Sequence, residues 1–159
     1  MLTTAQQTTL AAAIRADTDP AVVAALDIRN DVLLAELYNA ASTFIVWRTN
    51  ITPAEYREAI VWTEVDALTV GKARIWEWVT QQMTAPIDAS KANVRQGLMD
   101  CWASNTTTRT QLTAAAKRTA TKAEKLFATG TGTTATPGTL GWEGTLSYTD
   151  IGVALGANP

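Results

Sequence analysis

The sequence predicts a mainly α protein: a bundle of four to six helices with an extended C-terminal arm carrying one β-strand or hairpin. Three observations predict it. Over residues 1–127, apolar side chains recur at helical spacing between capping and breaking residues. Five tryptophans, Trp47, Trp62, Trp76, Trp78 and Trp102, give that body its bulk. From Ala128 onward the composition changes. The stretch "ATGTGTTATPGTLGWEGTLSYTDIGVALGANP" holds seven of the nine glycines and no lysine or arginine. The predicted division is a helical bundle over 1–127, then a flexible Gly/Thr linker and extended arm over 128–159.

The elements follow in order. Residues 4–16 form a helix with Leu10, Ala13 and Ile14 on one face. "DTDP" at 17–20 ends it and starts the next, with aspartates as caps and Pro20 in the first turn. That helix carries Val22, Val23 and Leu26 and breaks near Asn30, before a further amphipathic piece, "DVLLAELYNA", at 31–40. "STFIVWRTN" at 42–50 is read as an irregular buried link, because four apolar residues in a row fit a strand or a buried turn equally. "TPAE" at 52–55 combines an N-cap, a first-turn proline and a capping-box glutamate. Over 61–79 the seam Val61, Val65, Leu68, Lys72, Ile75, Val79 steps by four and three, and Trp62, Ala73 and Trp76 widen the same face, which predicts a core helix with a weak point at Thr69–Gly71. Ser90 caps a helix running to about Trp102. A last helix is expected over 108–127, with its seam at Leu112, Ala116, Thr119, Ala123 and Leu126.

In the tail, Trp142, Gly144, Leu146 and Tyr148 alternate with polar residues, a period of two that argues a strand. One strand cannot satisfy its own backbone. Its partner is either "FIVW" at 44–47 or a strand of another chain.

The 159 residues suffice for a sizeable core. A net charge of −2 does not advertise nucleic-acid binding. The single cysteine excludes an internal disulfide, so the fold needs no oxidising compartment. No apolar run is long enough to span a bilayer, and "MLTTAQQTTL" lacks the pattern of a secretory signal; the expectation is a soluble protein made in the cytoplasm, with no membrane partner.

There is no histidine, which removes the commonest general base and metal ligand. Gly71–Lys72 fails as a phosphate loop, since Asp66 stands where a glycine is needed and Ala73 where Ser or Thr is needed. Lys72 sits in an apolar seam. A catalytic lysine is one reading; a packed stem whose ammonium reaches Glu64, Asp66 or Glu77 is the simpler one. Arg74 and Glu77 read as a surface pair, and the carboxylates do not cluster. Cys101 reads as a small buried hydrophobe. No catalytic, cofactor or metal site is expected. Arg109, Lys117, Arg118, Lys122 and Lys125 form the one basic stripe, facing either solvent or DNA phosphates.

Three segments carry a resemblance: "FIVWRTNIT" at 44–52, "DALTVGKARIWEWV" at 66–79 and "AEKLFATGTGTTATPGTLGWEGTLSYTDI" at 123–151. Together they resemble small structural proteins of tailed bacteriophages, in size and layout the head–tail connector (adaptor or neck) proteins. The resemblance implies a non-enzymatic virion protein, assembled in the host cytoplasm. It would form a homo-oligomeric ring, commonly of twelve copies, around the DNA channel, with no cofactor. Its partners would be the portal protein, the next neck or tail component and, without sequence preference, packaged DNA. The arm would dock on the portal or a neighbouring copy through Trp142, Leu146, Tyr148 and Ile151, and Arg109, Lys117, Arg118, Lys122 and Lys125 would face the channel. Two other classes stand beside it: another phage structural or DNA-packaging protein that binds DNA through 109–125, and a small enzyme using Lys72.

Overall fold

A computed structural model describes residues 1–82, 84–104 and 106–156, and it is mainly α. The helices are α1 (Thr4–Ala16), α2 (Pro20–Asp27), α3 (Asp31–Asn39), α4 (Pro53–Glu58), α5 (Trp62–Asp66), α6 (Val70–Gln82), α7 (Ala92–Asp100), α8 (Thr107–Ala115), α9 (Lys122–Leu126) and α10 (Tyr148–Ala154). The strands are β1 (Ala41–Trp47), β2 (Lys117–Thr121), β3 (Ala128–Thr129) and β4 (Thr139–Leu140), paired β1 with β2 and β3 with β4. Among the described residues no helix is long and apolar enough to cross a membrane.

The chain forms two compact units: Met1–Ile45 with Thr119–Pro159, and Val46–Arg118. It passes from the first to the second inside β1 and returns inside β2. This division differs from a bundle followed by an arm, because residues 119–159 belong to the first unit.

In the first unit, local chemistry starts the helices where the sequence suggests. Asp19 Oδ1 accepts from Ala21 N at 3.0 Å, with Pro20 in the first turn of α2. Asn30 Oδ1 accepts from Leu33 N at 3.1 Å and opens α3. Arg29, at φ 54°, makes the turn between them. The core is largely aliphatic: Leu10, Ile14, Val22 and Leu34 pack with Leu146, Ile151 and Leu155 from the C-terminal segment.

The C-terminal segment is not an arm. The expected strand over 142–151 is replaced by an extended approach and the helix α10. Ser147 caps it: its Oγ accepts from Asp150 N at 3.2 Å, while Asp150 Oδ2 accepts from Ser147 N at 2.9 Å. The backbone need that a strand partner would meet is met by one side chain. Asn39 Nδ2 donates to Leu146 O, and Leu146 N donates to Asn39 Oδ1, both at 2.9 Å. The Gly/Thr stretch is also tied down. Ile45 N donates to Gly132 O and Gly138 N to Ile45 O, both at 2.8 Å. Gly132 and Gly138 lie against the Phe44 ring, so closely that a Cβ on either would collide with it.

β1 corrects the irregular link expected at 42–50. Its strand partner is β2, not residues 142–151, with flanking bonds from Lys122 N to Ala40 O at 2.9 Å in the first unit and from Arg48 N to Ala116 O at 2.9 Å in the second. The single helix expected over 108–127 is broken into α8, β2 and α9. Thr121 and Glu124 form a capping box that begins α9 afresh, which a continuing helix cannot contain.

In the second unit, Thr52, Pro53 and Glu55 start α4 as anticipated. The core is aromatic. Tyr56 stacks on Trp76 with ring centroids 5.4 Å apart, and Trp102 meets Trp76 edge-on at 5.4 Å. The helix expected over 61–79 is interrupted between Asp66 and Val70, near its anticipated weak point. Ser90 does not cap α7. The N-cap there is Lys91, without a side-chain bond, and Ser90 Oγ donates to Asp88 Oδ1 instead.

Candidate interaction surfaces

The four proposed arm anchors are dispersed. Leu146 and Ile151 are buried in the first unit's core. Trp142 is half-buried, its ring edge-on to Phe127 at 5.8 Å. Of the four only Tyr148, the first residue of α10, is exposed.

The basic stripe is broken up in the same way, because its helix does not exist as one element. Arg109, on α8, turns its guanidinium inward and donates to Met99 O at 3.1 Å and Trp102 O at 3.0 Å. Lys117 lies over the Trp47 ring at 5.3 Å, whose centroid Arg95 also approaches, to 4.2 Å. Arg118 is half-buried in β2. Lys122 is held by Asp17 at 2.7 Å and Asp19 at 3.7 Å, above the Tyr38 ring. Tyr38 donates to the same Asp17 oxygen at 2.9 Å. Burial works to raise the Asp17 pKa, but the bonds from Lys122, Asp19 N–H and Tyr38 outweigh it and hold the carboxyl below its ordinary value. Lys125 alone of the five is exposed, and it makes no ion pair among the described residues.

Lys72 is half-buried and makes no ion pair among the described residues. Glu64, one expected partner, instead caps α8: its two carboxylate oxygens accept from Thr107 N and Thr108 N, each at 2.8 Å. Hydrogen bonding from Thr108 first, then Thr107, lowers the Glu64 pKa. Nor do Arg74 and Glu77 pair; Glu77 Oε1 accepts from Gln81 Nε2 at 3.2 Å. Cys101 is buried, and burial pushes its thiol up against the opposing influence of Lys72, which fits an inert core residue rather than a nucleophile. Tyr56, beside it, is pushed well up by burial and by the Cys101 charge, and its hydroxyl has no hydrogen-bond partner among the described residues. A small cavity of about 10 Å³ lies against it, lined also by Ile51, Leu98, Met99 and Leu112, and is apolar.

What the sequence reading missed is an exposed apolar face on α6. Of the predicted core face, Trp76 is buried as expected, whereas Ile75 is 53% exposed. Val70, Arg74 and Trp78 step by four, and Gly71, Ile75 and Trp78 by four and three, so these five share one side of the helix. All five are exposed, Trp78 at 66%, and Trp62 on α5 is exposed at 64%. Neighbouring large apolar side chains left exposed on one helix side make this a candidate contact surface.

No family model matches the chain, and neither the curated proteins nor the solved structures contain a match.

Proposed function

We propose that the chain is a non-enzymatic structural protein of a tailed-phage virion, a head–tail connector that forms a ring of copies around the DNA channel and joins the portal to the next neck or tail component. The number of copies, twelve, and the place in the virion rest on the resemblance of 44–52, 66–79 and 123–151 to connector proteins. One structural observation supports an assembly role in general: α6 and α5 present Trp78, Ile75, Val70 and Trp62 to solvent, where a solitary chain gains nothing by exposing them. The docking of the C-terminal segment takes a different form from an unpaired strand. Its inner side chains belong to the core, so a portal or neighbouring copy would meet the exposed Tyr148 at the start of α10 or Val153 near its end.

The test is genetic. Deleting the gene from the phage that carries it is expected to leave DNA-filled heads and separate tails in electron micrographs, with joining restored by the chain supplied in trans. Fully joined, infectious particles without the chain would end this reading.

A further inference from the structure

We propose that the α6 face of one copy docks on the α2–α3 corner of the next, so that copies associate head to tail; this deepens the oligomeric reading above and rests on it. At the corner three large apolar side chains stand in solvent within ten residues. Ile28, the C-cap of α2, is 73% exposed, Val32 in the first turn of α3 is 55% exposed, and Val23 on α2 is exposed as well.

The two surfaces differ in charge, and the difference is complementary. Asp27 lies one helical turn from Val23, and Glu36 one turn from Val32, so each carboxylate shares a helix side with an exposed valine. Both are exposed and make no ion pair among the described residues. The cation at the corner, Arg29, is already held by Asp31 at 3.1 Å. The corner is thus apolar with two free negative charges. On the α6 face, Arg74 stands among Val70, Ile75 and Trp78, exposed and without an ion pair among the described residues, with Glu77 at the rim. Gly71 leaves a notch there: the space a Cβ would occupy is open. A branched side chain such as Ile28 would reach the bare backbone there.

Dissimilar, complementary patches on one chain make a heterologous contact, the kind that generates rings or open filaments.

The experiment is sedimentation velocity on the full chain from about 1 µM to 1 mM, the range that resolves weak self-association. The variants are Trp78→Glu and Ile28→Lys, both at exposed positions, with circular dichroism confirming their folds. Wild type is expected to associate with rising concentration, and each variant to do so at least about tenfold more weakly, as for an interface anchor. An equimolar mixture of the two should form a 1:1 pair and stop, since together they retain one intact α6 face opposite one intact corner. A wild type that stays monomeric, a variant that associates like wild type, or a mixture that does not pair would each overturn the proposal. The connector reading is judged separately. A chain that joins heads to tails without this association loses only the contact; one that associates as described yet is dispensable for joining loses only the connector role.

Discussion

Ile151 on α10 and Ile75 on α6 are the same residue type in opposite circumstances: the first is fully buried, the second more than half exposed. The contrast extends to their surroundings. Around α10, Ser147 and Asp150 close a capping box, and Asn39 satisfies both backbone groups of Leu146. The seven-residue helix is held by its neighbours, not by its own length, since isolated helices so short are unstable. α6 has thirteen residues and buries Trp76 on one side, leaving Ile75 and Trp78 on the other. The difference teaches that apolar content does not locate the core. What locates it is which elements arrive to cover a given side.

Substitutions at these two isoleucines give the sharpest contrast. Ile151→Ala is expected to cost about 2–5 kcal/mol, as for a large aliphatic removed from a packed core. Ile75→Ala should fall within about 0.5 kcal/mol, as at an exposed site. Urea denaturation of both variants checks this, and equal losses would abolish the distinction. Next in size is Asn39→Ala, which leaves the Leu146 amide and carbonyl without their partner and should cost about 1–3 kcal/mol. Hydrogen exchange at the Leu146 amide should quicken in the same variant.

A smaller effect, of opposite sign, belongs to the aromatic core of the second unit. Tyr56→Phe removes a hydroxyl that has no partner among the described residues, so stability should hold or rise by up to about 1 kcal/mol. A loss beyond that would reveal a partner for the hydroxyl. The smallest effect is expected at Glu55. Hydrogen bonding from Thr52 and then Arg48 lowers its pKa from 4.5 to about 2. A carboxyl whose folded pKa is depressed contributes stability above its unfolded value. That contribution is lost as the pH falls from about 4.5 toward 2. Glu55→Gln should flatten this part of the stability–pH curve, lie below wild type at neutral pH and converge with it as the pH falls toward 2, as thermal unfolding over that range would show.

Much of the chain was legible residue by residue. The starts of α2 and α4, the break at Asn30 and the interruption before Val70 all follow from caps and prolines acting within a few residues. Two further caps were present and passed over. "TKAE" at 121–124 and "SYTD" at 147–150 both carry the Ser/Thr-x-x-Asp/Glu pattern, and either one argues against the single helix over 108–127 or the strand over 142–151. The candidate surfaces were less legible. The seam over 61–79 correctly signals an amphipathic helix, but periodicity carries no information about which side meets the core when both sides hold large apolar residues.

The sequence by itself determined where the helices begin, that the body is mainly α, and that the composition changes after Phe127, because caps, propensities and periodicity act over one or two turns. Only the tertiary structure decided that β1 pairs with β2, that Asn39 supplies what a second strand would have given Leu146, and that Ile151 is covered while Ile75 is not. Those outcomes depend on groups far apart along the chain: Asn39 and Leu146 are 107 residues apart, and no local pattern encodes their meeting.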